Sequence, residues 1–264
     1  MKICVLMSGS KGNLTYVESE NEKILIDAGA GVRTTDSLLK SIGVRLKDID
    51  AVLITHEHDD HCRGLKRIAE MTDAKIYAHC MGKDALCKKT GIPSERVSSF
   101  DQPFEIGNVA ADFYVCSHDA AYCVGYSLTE KKEKISVVTD LGRWDETTLR
   151  FLKNSDFAVV ESNHDPEMLQ KGVYPYPLKR RILGEKGHLS NAQAGELVSR
   201  LPDENVRRVM LGHLSLNNNV PELAYTSVVK KAEEKGVKEG VDIEIDVANQ
   251  FQRSDFYDVE KRRI

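Results

Sequence analysis

One stretch constrains the rest of the chain: Thr55-His56-Glu57-His58-Asp59-Asp60-His61-Cys62-Arg63-Gly64, directly after the apolar run Ala51-Val52-Leu53-Ile54. His56 and His58 are two apart, so an extended or turning backbone projects both to one side, and Asp60 and His61 follow where the chain bends away. Imidazole nitrogen and carboxylate oxygen are the donors that hold zinc, manganese or iron at hydrolytic sites. A polar loop carrying histidines by chance is the bland alternative. With only eight histidines in 264 residues, three at this spacing speak against it. The loop is expected to bind metal.

A hydrolytic metal takes about three protein ligands plus water, and a pair of metals needs more, including a carboxylate shared between them. Later strand ends offer candidates: His118, Asp140, Glu161, His164, His188 and His213. Asp27, closing an early strand before Ala28-Gly29-Ala30-Gly31, suits an acid that buttresses the histidine loop. His79 ends a short strand with no partner motif nearby and is expected to be an ordinary histidine.

The strand-like runs are Lys2 to Met7, Leu14 to Glu18, Lys23 to Asp27, Asp50 to Thr55, Lys75 to Ala78, Phe104 to Ile106, Val109 to Cys116, Val124 to Thr129, Lys134 to Thr139, Phe157 to Val160, Val206 to Leu211 and Asp242 to Val247. Helical spacing marks 35–42, 65–71, 84–89, 146–153, 192–200 and 221–235, with Ser190 or Asn191 as a cap for the fifth. The charged tail, Tyr257 to Ile264, is expected to fray. The chain divides into two strand-rich halves with helices following strands and polar residues at strand ends. That pattern predicts an α/β domain over residues 1–264, two sheets between helices with the site along one rim.

A net charge of −4 gives no global basic signal, so any hold on nucleic acid must be local. No apolar run is long enough to span a bilayer, and the opening run is too short for a signal-peptide core. Six cysteines form no CxxC pair and no disulfide-like framework. A reduced, cytoplasmic enzyme is the economical expectation, without membrane attachment.

His56-Glu57-His58-Asp59-Asp60-His61 fits the HxHxDH motif of the metallo-β-lactamase superfamily. The other motifs follow in order: Asp27, Cys116-Ser117-His118-Asp119, Val138-Thr139-Asp140-Leu141-Gly142 and Leu211-Gly212-His213-Leu214-Ser215. The resemblance covers essentially the whole chain and implies the αβ/βα four-layer sandwich of two mixed sheets flanked by helices. It also implies two divalent ions (Zn, Mn or Fe). His56, His58 and His118 would hold one, Asp60, His61 and His213 the other, with Asp140 bridging and Asp60 and Asp140 orienting the nucleophile.

Glu161 and His188 resemble the glutamate and histidine motifs of the tRNase Z-like phosphodiesterases, where such a pair steers a proton to the leaving oxygen. Ser8-Gly9-Ser10-Lys11-Gly12-Asn13, Glu161-Ser162-Asn163-His164-Asp165 and Lys179-Arg180-Arg181 before Gly187-His188-Leu189-Ser190-Asn191 resemble the YycJ/WalJ family. That resemblance implies a 5′→3′ DNA exonuclease, with DNA contacts at Ser10, Asn13, His164, Lys179, Arg180 and Arg181. Tyr174 and Tyr176, held by Pro175 and Pro177, either stack on a terminal base or brace the loop. The competing expectations are a small-molecule (cyclic or nucleotide) phosphodiesterase, a glyoxalase II-like thioester hydrolase, and a non-catalytic metal-binding regulatory module. The sequence leaves the oligomeric state open.

Overall fold

The computed structural model describes residues 1–259. Its strands are β1 (Lys2–Met7), β2 (Leu14–Glu18), β3 (Lys23–Ile26), β4 (Ala51–Ile54), β5 (Lys75–His79), β6 (Val97–Phe100), β7 (Phe104–Ile106), β8 (Val109–Val115), β9 (Val124–Glu130), β10 (Glu133–Val138), β11 (Phe157–Glu161), β12 (Arg208–Gly212), β13 (Glu244–Val247) and β14 (Tyr257–Asp258). Its α-helices are α1 (Val32–Ser41), α2 (Asp59–Cys62), α3 (Leu65–Met71), α4 (Cys80–Thr90), α5 (Glu146–Leu152), α6 (Pro166–Lys171), α7 (Tyr176–Ile182), α8 (Asn191–Val198) and α9 (Pro221–Glu233).

Two seven-stranded sheets form, in the orders β14-β1-β2-β3-β4-β5-β6 and β13-β12-β11-β10-β9-β8-β7. Each is mixed. Strands β1 to β3 run antiparallel and β3 to β6 parallel, while β7 to β10 run antiparallel and β10 to β13 parallel.

The sheets are buried on both faces, which explains why their strands are nearly continuous apolar runs rather than alternating ones. Along β1, Ile3 and Val5 enter the core between the sheets, and Cys4 and Leu6 enter the core beneath α1 and α3. In the second sheet Val159 and Met210 face inward, while Val160 and Leu211 pack on Ala194 and Leu197 of α8 and Ala224 and Val228 of α9. The period of two along each strand thus builds four layers: helices, sheet, sheet, helices. This is the metallo-β-lactamase sandwich.

Short helices α2 and α6 were not expected, and three further elements depart from expectation. The short edge strand β6 alternates in a buried-exposed-exposed-buried pattern with two serines at its centre, too weak a signal to stand out. The proline- and tyrosine-rich passage is helical at α7, because Pro177 falls in the first turn, where its missing N–H costs nothing. The tail does not fray at its start. Tyr257 and Asp258 pair with Ile3 and Lys2, and the Arg208 guanidinium lies 4.4 Å from the Tyr257 ring centroid. The remainder of that expected fraying, residues 260–264, lies outside the described residues.

Candidate active site

The parallel strands deliver the chemistry at their C-terminal ends. Asp27 follows β3, Thr55 and His56 follow β4, Asp140 follows β10 by two residues, Glu161 ends β11 and His213 follows β12. Open α/β sheets hold ligands outside the carboxyl ends of their strands, and here both sheets present those ends to one rim.

The histidine loop is held from below. Asp27 Oδ1 accepts from the Thr55 backbone N–H and hydroxyl, both at 2.9 Å. The loop then turns into α2, whose backbone lies against residues 28–30: Ala28 N–H donates to His61 O at 2.7 Å, and Gly64 N–H to Ala28 O at 2.8 Å. Gly29 is required by this approach, since a Cβ there would lie 1.7 Å from the Asp60 carbonyl oxygen.

Four of the imidazoles share one arrangement, with Nδ1 tied back and Nε2 toward the centre, although His61 Nε2 also meets the Asn13 amide at 3.0 Å. His61 Nδ1 meets Asp27 Oδ2 at 2.7 Å, His56 Nδ1 meets the Thr55 hydroxyl at 3.0 Å, and His118 Nδ1 meets Gly187 O at 3.2 Å. His213 Nδ1 meets Glu161 Oε1 at 2.8 Å. Fixing one ring nitrogen in this way sets the tautomer and the ring orientation of a histidine that ligates metal. His58 differs, presenting Nδ1 to His118 Nε2 at 3.3 Å.

The donor atoms converge. His56, His58 and His118 form one group, and Asp60, His61 and His213 another. Asp140 joins His56 and His61 in a third, and within each group the ligand atoms lie within 4.8 Å of one another. Buried atoms without a hydrogen-bond partner, His56 Nε2 and Asp140 Oδ2, point to the same centre. An orphaned buried acceptor carries a desolvation cost unless a cation meets it, so the donor set fits divalent metal.

Electrostatics agree. Burial and the neighbouring imidazoles His61 and His118 hold His56 well below its ordinary pKa, leaving it neutral. Burial opposes charge on His61, yet the carboxylates of Asp140, Asp27 and Asp60 outweigh it and lift the group to about 9. Burial likewise opposes charge on His213, and Asp140 and Asp60 again overcome it. Burial would raise Asp60, but His61 and His213 hold it well below the usual carboxylate range. The Asp60–Asp140 side of the site demands positive charge, which the protein alone meets with protons and a bound cation would meet instead.

Glu161 is wholly buried and accepts four hydrogen bonds. Its Oε2 takes the backbone N–H groups of Leu141 at 2.8 Å and Leu189 at 3.1 Å. Its Oε1 takes Nδ1 of both His188 and His213, each at 2.8 Å. The sequence suggested the partnership with His188. The hold on His213 lies across 52 residues with no spacing signal, and sequence reasoning missed it. It also missed Cys123, whose thiol sits 3.6 Å from His56 Nδ1.

A cavity of about 230 Å³ opens onto this centre, lined among others by Ser10, His58, Asp60, Asp140, Asn163, Tyr174, Arg181, His188 and His213. The residues expected to touch substrate divide. Ser10 and Arg181 line the cavity, and Arg181 is clamped by both carboxylate oxygens of Asp119. Lys179 instead reaches the Gln170 carbonyl at 2.7 Å, and Arg180 lies 6.0 Å from the Tyr176 ring centroid, because a helix distributes three consecutive residues around its circumference.

Asn13 is buried and occupied. Its amide contacts Gly9, the Asp60 carbonyl and His61 Nε2. His164 is also buried, behind the cavity wall rather than on it, with both ring nitrogens unpartnered and burial lowering its pKa to about 4. His79 caps α4, accepting from Met81 N–H at 3.2 Å, and stacks on Tyr122. Tyr174 lines the cavity and accepts from Asn217 at 3.0 Å. Tyr176 stands exposed beside it.

No helix among the described residues is long and apolar enough to cross a membrane.

Comparison with known proteins agrees with this geometry. The family model of the β-lactamase superfamily domain matches residues 22–214. The chain is 36% identical over 244 residues to the exodeoxyribonuclease YycJ of Bacillus anthracis, covering 91% of this chain and 92% of that protein. It is 32% identical over 249 residues to the exodeoxyribonuclease WalJ of Streptococcus pneumoniae, covering 92% and 93%. Among solved structures, the metallo-β-lactamase fold protein YhfI of Bacillus subtilis superposes with a TM-score of 0.69 at 18% identity, covering 96% of this chain and 99% of that one. The chain is thus a metal-dependent hydrolase that belongs to the metallo-β-lactamase superfamily and, within it, to the YycJ/WalJ family.

Proposed function

We propose that the protein is a two-metal exodeoxyribonuclease that hydrolyses DNA in the 5′→3′ direction. One observation carries the choice of substrate class: the Glu161–His188 pair at the rim of the histidine–carboxylate centre, in a chain more than 30% identical to named exodeoxyribonucleases over nine-tenths of its length. Phosphodiester cleavage expels an alkoxide that departs poorly without a proton, whereas a thiolate leaves unaided. A thioester hydrolase therefore gives no reason for this pair.

His56, His58 and His118 would hold one cation and Asp60, His61 and His213 the second, with Asp140 between them. Bound divalent cations supply Lewis-acid neutralisation of phosphoryl oxygens and acidify water near neutral pH. The chain's own groups do the rest. Asp60 and Asp140 orient the nucleophile by accepting its hydrogen bonds. His188 is fixed through Nδ1 by Glu161 and lines the cavity, so its Nε2 is placed to deliver a proton to the leaving 3′ oxygen. Arg181, held flat by Asp119, offers guanidinium N–H groups to a non-bridging oxygen.

The test is digestion of end-labelled DNA and RNA in manganese-supplemented buffer, read for product size and polarity. Mononucleotide release from the 5′ end by the wild type, abolished in His58→Ala with the circular dichroism spectrum retained, is the expected result. Intact DNA alongside turnover of a small phosphodiester such as bis(p-nitrophenyl) phosphate would defeat the exonuclease reading.

A further inference from the structure

Three of the six residues placed by sequence on the substrate path lie on α7, and of these cations only Arg181 lines the cavity. The edge at Ser10 is better furnished. Ser10 lines the cavity, and the next residue, Lys11, is exposed. Arg63, also exposed, leans over the same turn with Nη1 3.3 Å from the Lys11 carbonyl. Neither Lys11 nor Arg63 forms an ion pair with a carboxylate among the described residues, unlike Arg181, Lys89 and Arg45 nearer other acids. Two free cations therefore stand beside a cavity whose substrate is a polyanion.

An aromatic residue follows directly after a residue held on this turn. Strand β13 is parallel to β12, so the chain leaving it emerges at the same rim as His213. Ala248 N–H donates to Leu211 O at 2.8 Å, which holds the exit close to β12. Gln250 then covers the Ser10–Lys11 turn. With its carboxamide oxygen toward the donors, it accepts from Ser10 N–H at 3.1 Å and Lys11 N–H at 3.3 Å. The fit is close. Gly9, at φ +151°, could carry no side chain, because its Cβ would lie 2.5 Å from the Gln250 amide and 2.9 Å from the Leu214 carbonyl. The next residue in the chain, Phe251, is 60% exposed. The hold on Gln250 fixes the backbone from which Phe251 projects.

We propose that single-stranded DNA leaves the cavity over the Ser10–Lys11 turn, with Lys11 and Arg63 on its phosphates and a base stacked on Phe251. This rests on the nuclease reading above and adds the direction in which the strand runs across the rim. Aromatic stacking and unpaired cations are the two parts from which sequence-tolerant single-strand grooves are made, and each leaves its own signature.

The experiment measures binding of a fluorescein-labelled, phosphorothioate-linked dT 20-mer to the metal-loaded protein by anisotropy over a range of KCl. Phe251→Ala is expected to raise Kd about tenfold with the salt dependence unaltered, and Phe251→Tyr to restore the wild-type value. Lys11→Ala combined with Arg63→Ala is expected to reduce the slope of log Kd against log[KCl] by about 1.4. Phe251→Ala binding as tightly as wild type, Phe251→Tyr binding as weakly as Phe251→Ala, or a double variant with the wild-type slope would each overturn the track. The two readings fail separately. A wild type that binds the 20-mer but leaves ordinary DNA intact refutes the nuclease and not the groove. Digestion with no effect of these substitutions refutes the groove and not the nuclease.

Discussion

Replacing Glu161 by glutamine removes a charge and almost no volume, and the structure fixes what must follow. The carboxylate accepts four hydrogen bonds, two from backbone N–H groups and two from imidazole Nδ1 atoms. An amide has one acceptor end, so two of these donors must face an NH2 group whichever way it lies. Leaving the Leu141 and Leu189 N–H groups unpaired in a buried site would cost about 2–6 kcal/mol. The oxygen therefore stays with the backbone, and the NH2 faces His188 and His213. Both rings can answer by moving their proton from Nδ1 to Nε2. For His213 that puts hydrogen on the nitrogen 3.3 Å from Asp60 Oδ2, the one needed for metal. Affinity at the Asp60–His61–His213 position should fall about 10- to 100-fold, the usual cost of disturbing a residue behind a metal ligand. Hydrolysis of DNA at saturating manganese should fall by a further factor of about 10² to 10⁴, because the NH2 that still positions His188 carries no negative charge to support it as a proton donor. Isothermal titration with manganese and initial rates on labelled DNA read the two effects separately. A variant that binds manganese with wild-type affinity and turns over within twofold of wild type would refute this account of Glu161.

Other substitutions separate the parts of the site. His188→Ala should leave metal content intact and lower turnover about 10²- to 10⁴-fold; an emptied metal site by elemental analysis would remove His188 from the role of proton donor. Gly29→Ala forces a methyl against the Asp60 carbonyl and should cost roughly 1–3 kcal/mol in urea unfolding, with metal affinity falling alongside. After chelation, His61 is lifted to about 9 by its carboxylate neighbours, above the ordinary imidazole value of about 6.5. Its stabilisation is complete below the lower value and is lost as pH rises through the upper one. The melting temperature of the chelated protein should therefore fall between these limits, and added manganese, which competes with that proton, should abolish the fall. A melting temperature that climbs over this interval without metal would refute it.

The fold was largely legible because its signals are local. Two buried sheets write themselves as short apolar runs, and the turns between them carry glycine and charge. His56, His58, Asp60 and His61 were legible for the same reason, since six residues contain them. What escaped was long-range or rotational. Glu161 reaches His213 only because β11 and β12 are neighbours in the second sheet, with Glu161 paired to Gly212. The run Lys179-Arg180-Arg181 looked like one cationic unit, but helical rotation leaves only Arg181 on the cavity. His164 looked available from its motif and is buried, its backbone bridging to Ser190 at the start of α8.

Three residues of the site, Asp27, Asp140 and His213, adopt positive φ angles of 64°, 60° and 55°. An L-residue bearing Cβ pays about 1–2 kcal/mol for that conformation, aspartate somewhat less, glycine nothing. Glycine at these strand ends would relieve that strain, but it would also strip the partner from buried donors such as the Thr55 N–H and His61 Nδ1, a loss of about 1–3 kcal/mol for each. The strain is therefore held in place by the hydrogen bonds it makes possible, and libraries screened for heat resistance should not accumulate glycine at these three positions.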